Sequence, residues 1–250
     1  MLQGKEYNAR LALLGCGSAM QNESFLNFHF ALRSPCTIFV HMKRIMLLGL
    51  LLPTFIIYGY AQQAEKYFSI MPQRVLPILD KTARLDMIDL YNNNLTAKAE
   101  NIYGGQAEML RKTDDFISIK CTESSNWQMK VLPQGHDTLI VCIHSVTAIN
   151  TSSKIMVFKR DWHNVKREVP FPTFGQFLRA NIDLPQEHYK QLVAEMQHLP
   201  VEASWSENGP ILTFRLSMNS LPQHEANDAE LLVHPITYRW TMGKWTLQSK

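Results

Sequence analysis

From Thr96 onward apolar and polar residues alternate with a period of two, and that alternation limits the chain to a largely antiparallel β architecture. Ile117, Ile119 and Cys121 alternate with Ser118, Lys120 and Thr122, and Trp127, Met129 and Val131 alternate with Gln128 and Lys130. Residues 98–101 and 108–113, joined through Gly104-Gly105, suit a small hairpin. After the Pro133-Gln134-Gly135 turn, residues 138–149 are almost continuously apolar, as in a strand covered on both faces. Residues 154–158 add a short strand.

Helical spacing frames these strands. Residues 64–94 read as helical around a turn bracketed by Pro72 and Pro77, and Asp80 or Thr82 can cap a helix whose apolar face is Ala83, Met87, Leu90 and Tyr91. The pattern then restarts. Asp183 reads as an N-cap with Pro185 in the first turn, and Tyr189, Leu192, Val193, Met196 and Leu199 keep helical spacing up to Pro200. Val201, Ala203 and Trp205 alternate up to the Asn208-Gly209 turn, and Leu212, Phe214, Leu216 and Met218 alternate after it. Residues 219–230 read as a polar loop, and Ile236, Tyr238, Trp240 and Met242 form a last alternating run that returns through Trp245 and Leu247. The expected class is α+β: antiparallel sheets with helices on one face, as two tandem helix-then-strands units over residues 62–165 and 166–250.

The segment before residue 62 reads as an address. Met42-Lys43-Arg44 is a positive start, residues 45–57 are a 13-residue apolar run, and Gly59 and Ala61 are small residues three and one before a cut. These are the parts of a secretory signal peptide over residues 42–61. The run is short of the about 20 apolar residues that a membrane span needs. Residues 1–41 precede that signal and read as an over-extended start. Leu13-Leu14-Gly15-Cys16 imitates a lipoprotein box, but its apolar run is too short for one.

Removing the leader changes the charge. The chain has 25 basic and 22 acidic residues, of which five (Lys5, Arg10, Arg33, Lys43, Arg44) and two (Glu6, Glu23) precede residue 62, leaving 20 of each. No basic stripe remains to neutralise a phosphate backbone, which argues against nucleic acid. Cys121 and Cys142 remain, on strands that are second neighbours. Such strands lie about 9–10 Å apart, beyond disulfide reach, so two buried free thiols are expected.

The Ala-Gln cut, the RLDMIDLYNNN run from Arg84 to Asn94, the TDDF run from Thr113 to Phe116 and the WQMKVLP run from Trp127 to Pro133 resemble an uncharacterised exported family of Bacteroidales, a domain of unknown function. The resemblance covers residues 64–245. It implies a periplasmic or surface location and carries no activity.

Candidates for chemistry are few. Asp86 and Asp89, three apart on a helix, could serve as acid and base or hold a cation; the structural alternative is a charged face pinned by Arg84 or Lys81. Thr113-Asp114-Asp115 reads as a strand-entry turn in preference to a calcium corner, which needs six to eight oxygens. The histidines after residue 62 (His136, His144, His163, His188, His198, His224, His234) form no zinc signature. Cys142 and His144 share a strand face, but a thiol in an apolar strand is inert. Gly104-Gly105 lacks the lysine and helix start of a phosphate loop. Trp205, Tyr238, Trp240 and Trp245 are either core or a stacking platform for sugar or peptide. The function expected is an exported binding or structural module of the cell envelope, without cofactor or metal, whose partner is an envelope peptide, glycan or protein. The alternative is a carboxylate-dependent hydrolase of envelope glycan or peptide.

Overall fold

The computed structural model describes residues 63–135, 137–166, 169–180 and 184–248. The signal segment, the stretch before it, His136 and Asp183 lie outside these. The described residues belong to one compact unit. The class is α+β, with a six-stranded and a four-stranded antiparallel sheet.

Helix α1 (Gln63–Ser69) and helix α2 (Lys81–Asn92) come first. Asp80 caps α2: its Oδ1 accepts from Ala83 N at 2.7 Å, satisfying a donor that the first helical turn leaves bare. Six consecutive strands follow in order of sequence: β1 (Lys98–Glu100), β2 (Gln106–Lys112), β3 (Phe116–Thr122), β4 (Ser125–Gln134), β5 (Asp137–Thr147) and β6 (Thr151–Lys159). The meander has two buried faces. Ile117, Ile119, Trp127, Met129 and Cys142 face a core with Phe68 of α1 and Met87 of α2. Phe116, Leu132, Val141, Ile143 and Val157, on the alternate positions, face a second core.

That second core belongs equally to the rest of the chain. Helices α3 (Phe174–Phe177), α4 (Gln186–Met196) and α5 (Gln223–Leu232) and strands β7 (Val201–Trp205), β8 (Ile211–Leu216), β9 (Ile236–Thr241) and β10 (Lys244–Leu247) supply Leu192, Ala229, Leu212, Phe214 and Trp240 to it. The second sheet runs β10-β9-β8-β7. Met242 and Gly243, both at positive φ (49° and 81°), make the two-residue turn between β9 and β10, a geometry matched to strand twist. Helices therefore cover one face of the first sheet, and the second half of the chain covers the other. One core spans the boundary expected at 165/166, and the two sheets are separate.

Two elements depart from the sequence reading: α4 begins at Gln186 with Pro185 as its N-cap, where the spacing puts Pro185 inside the first turn, and α5 is unexpected. Residues 219–230, expected as loop, contain most of α5. Pro222 sits at its N-cap and only Ala229 and Leu232 are buried, a stripe too narrow and too small to stand out as periodicity. No helix among the described residues is long and apolar enough to cross a membrane.

Candidate functional site

Asp86 and Asp89 lie one turn apart on the exposed face of α2. With Asp80, and with Lys98 and Glu100 of β1, they line an open groove of about 470 Å³. Among the described residues, no ion pair joins Asp86 or Asp89 to Arg84 or Lys81. Arg84 shares its helical face with Met87 and Ile88, and that face is the buried one. It is 2% exposed, its guanidinium carbon stands 5.9 Å from the centre of the Phe68 ring, and Nε and Nη1 have no hydrogen-bond partner among the described residues. Burial lowers its pKa and the nearby Asp80 carboxylate opposes that. Lys98 lines the same groove and is ion-paired with Glu108 Oε2 at 3.7 Å. Asn93 Nδ2 donates to Asp89 Oδ1 at 3.2 Å.

Asp115 has a structural partner that the sequence did not reveal. Its Oδ1 accepts from Lys130 Nζ at 3.0 Å and from Thr113 Oγ1 at 3.1 Å. Lys130 is 0% exposed and also donates to Ser206 O at 3.4 Å and Glu207 O at 3.2 Å, so it joins β4 to the β7–β8 turn. Burial lowers the Lys130 pKa, opposed by the bond from Asp115. Lys130 stands in the polar set of the β4 alternation, which reads as a solvent face only if no second sheet lies over it. Gln128, two residues earlier, is covered in the same way and accepts Trp205 N at 2.8 Å.

Cys121 and Cys142 are buried free thiols on β3 and β5. Burial pushes the Cys121 pKa up to about 12 and raises that of Cys142 well above its ordinary value, so neither supplies a thiolate. His144, two residues from Cys142, has its pKa lowered by burial first and by Lys154 on β6 second. The folded protein thus disfavours the imidazolium, while the unfolded chain takes up the proton near pH 6.5. Stability attributable to His144 is complete above that pH and declines as the pH falls toward the folded-state pKa. We expect His144→Asn to flatten the decline of Tm between about pH 7 and pH 5; an unchanged slope in thermal melts rejects His144 as its source.

Other histidines make local pairs: His188 Nε2 meets Asp228 Oδ2 at 2.8 Å between α4 and α5, and His163 Nδ1 meets Asp161 at 3.0 Å. No group of three or more His, Cys, Asp or Glu among the described residues is arranged to hold a metal.

The aromatic set is packed. Trp205 and Trp240 are 5% and 3% exposed. Trp245 stacks on Trp205 at 5.8 Å and meets the edge of Trp240 at 5.1 Å. Trp240 Nε1 donates to Pro133 O at 2.8 Å, fastening β9 to the first sheet. Tyr238 makes an edge contact with Phe214. A stacking platform needs a bare ring face, and in this cluster only Tyr238 and Trp245 keep partial exposure.

A roomier concavity than the Asp86 groove lies elsewhere, on β9 and β10. Leu178 bridges Val233, with Arg179 N donating to Leu232 O at 2.8 Å and His234 N to Phe177 O at 3.0 Å. This ties the segment after α3 to the chain between α5 and β9. Beside it opens a cleft of about 720 Å³, walled by Leu178, Ile236 and Leu247 and carrying Gln176, Arg179 and His234. Arg179 Nε donates to Val233 O at 2.9 Å, which holds the base of the guanidinium. No carboxylate is among the described residues lining it. Nothing local in the sequence marks this cleft, because its walls come from three segments brought together by tertiary pairing.

The family model described as "Protein of unknown function (DUF3256)" matches residues 57–245. Among solved structures, the fold is similar to that titled "Structure of a domain of an uncharacterized protein from Porphyromonas gingivalis W83", with a TM-score of 0.64 and 24% identity over 76% of this chain and 100% of that one. That likeness concerns the fold. Comparison with curated proteins gives no match.

Proposed function

The chain belongs to the DUF3256 family, proteins of unknown function, and from that premise we propose that it is an exported binding module of the cell envelope whose ligand sits in the cleft beside β9 and β10. One observation carries the reading: the cleft has the size and composition of a small-molecule site, about 720 Å³ with apolar walls and a few convergent polar groups. Tyr238 and Trp240 lie on β9, which also carries Ile236 of the cleft, but neither they nor Trp205 are among the described residues lining it. The signal-like residues 42–61 support export to the periplasm or surface. Intact mass of the product recovered from the envelope of the native host should begin at Gln62. Native mass spectrometry of the purified chain after incubation with envelope extract should reveal a small adduct that Leu247→Arg removes. No adduct in either protein, or the same adduct in both, rejects the cleft as the binding site.

A second reading, a carboxylate hydrolase of envelope glycan or peptide, draws support from the groove that Asp86 and Asp89 share with Asp80 and Glu100. It requires that purified protein cleave such a substrate and that Asp86→Asn abolish the cleavage.

A further inference from the structure

We infer that the cleft takes the carboxylate head of a small apolar acid, with Arg179 as its anchor; this rests on the reading of the cleft as a binding site. The planar fork of an arginine guanidinium matches a carboxylate in two parallel hydrogen bonds. The bond from Nε to Val233 O fixes the base of that fork and engages neither terminal amino group. Those terminal groups carry no hydrogen bond to any described residue, and the described lining offers no carboxylate to neutralise them. The His234 imidazole, which also lines the cleft, has no side-chain partner among the described residues. Two cationic or donor groups on the cleft, with no counter-charge among the described residues lining it, favour an anion. The remaining wall decides what kind. Leu178, Ile236 and Leu247 cannot satisfy the many oxygens of a phosphate or a sugar, whereas burying an apolar body against them is favourable. A single anionic head on an apolar body meets both conditions. The acid is either a free acyl chain or the carboxyl end of an apolar peptide, two sources of the same chemistry.

The probes are decanoate against decanol, and an apolar tripeptide as free acid against its amide, titrated into the purified protein by calorimetry. We expect at least one acid to bind about tenfold or more tighter than its neutral counterpart, the effect of a charge-assisted hydrogen bond. Which acid binds identifies the source. Arg179→Gln should erase that preference while leaving the neutral probe's affinity in place, and Arg179→Lys should retain part of it; thermal melts establish that both variants fold. Equal binding of acid and neutral probe to the wild-type protein overturns the assignment, and so does failure of both acids to bind. In either case the binding reading is judged separately: an envelope adduct lost in Leu247→Arg leaves the cleft as a site with a different ligand.

Discussion

Trp127→Ala is expected to remove about 3–5 kcal/mol of stability, the range for deleting a fully buried tryptophan. The ring is 0% exposed, on a strand flanked by Ile119 of β3 and His144 of β5, and packs 5.8 Å from the Phe68 ring of α1. It is therefore where the first sheet meets its helices, and no surrounding element can collapse inward without breaking a ladder. Against a total of about 5–15 kcal/mol, the loss is a large fraction. For a domain of this size the melting temperature should fall by roughly 10 °C or more. Trp127→Phe should cost much less, since the indole nitrogen has no hydrogen-bond partner to lose. Urea melts that place Trp127→Ala within about 1 kcal/mol of wild type rule out this packing.

The second large effect concerns Lys130. A buried ion pair is costly to break from one side and much less costly to replace whole. Asp115→Ala would leave a desolvated ammonium with the Ser206 and Glu207 carbonyls and the Phe116 ring, 5.3 Å away, but no counter-charge among the described residues. We expect a loss of about 2–3 kcal/mol, below the full range for buried pairs because the Asp115 side chain is 44% exposed. Lys130→Met should cost about 1 kcal/mol or less, and the double variant should resemble Lys130→Met alone. The pH dependence has a sign. Asp115 raises the depressed folded pKa of Lys130, so Asp115→Ala should depress it further, and the deficit of the variant should shrink as pH rises from the variant's folded pKa to the wild type's, staying level above that. Additive losses in the double variant, by urea melts, exclude coupling between the two side chains.

These residues also mark where the sequence could and could not be read. The cap at Asp80 and the hairpins follow from local chemistry, and each appears where the residues placed it. Local pattern could assign Gln128 and Lys130 to the polar face of a strand, but whether water or another sheet meets that face depends on residues 70 or more positions away. Arg84 shows the converse: its charge suggested an outward partner for Asp86 and Asp89, while its helical phase with Met87 and Ile88 turned it inward. Phase won because it is set by every residue of the amphipathic face and a surface ion pair is worth about 0–1 kcal/mol. Helix α5 escaped because Ala229 and Leu232 are its whole buried stripe. The cleft escaped because Leu178, His234 and Leu247 meet only through the 178–233 bridge and the β9–β10 hairpin.

The two sheets touch through side chains at fixed points and not through a shared ladder. Gln128 receives Trp205 N, Lys130 binds the carbonyls of Ser206 and Glu207, and Ser153 Oγ receives Ala203 N at 2.9 Å. Apolar surfaces alone would let one sheet slide over the other, since leucine against valine is nearly indifferent to offset. Moving β7 by a single residue would turn each of its side chains to the opposite face and strip three desolvated groups of their partners at once. The buried polar residues of the meander therefore act as locating pins, giving the interface one address among many that hydrophobicity would accept.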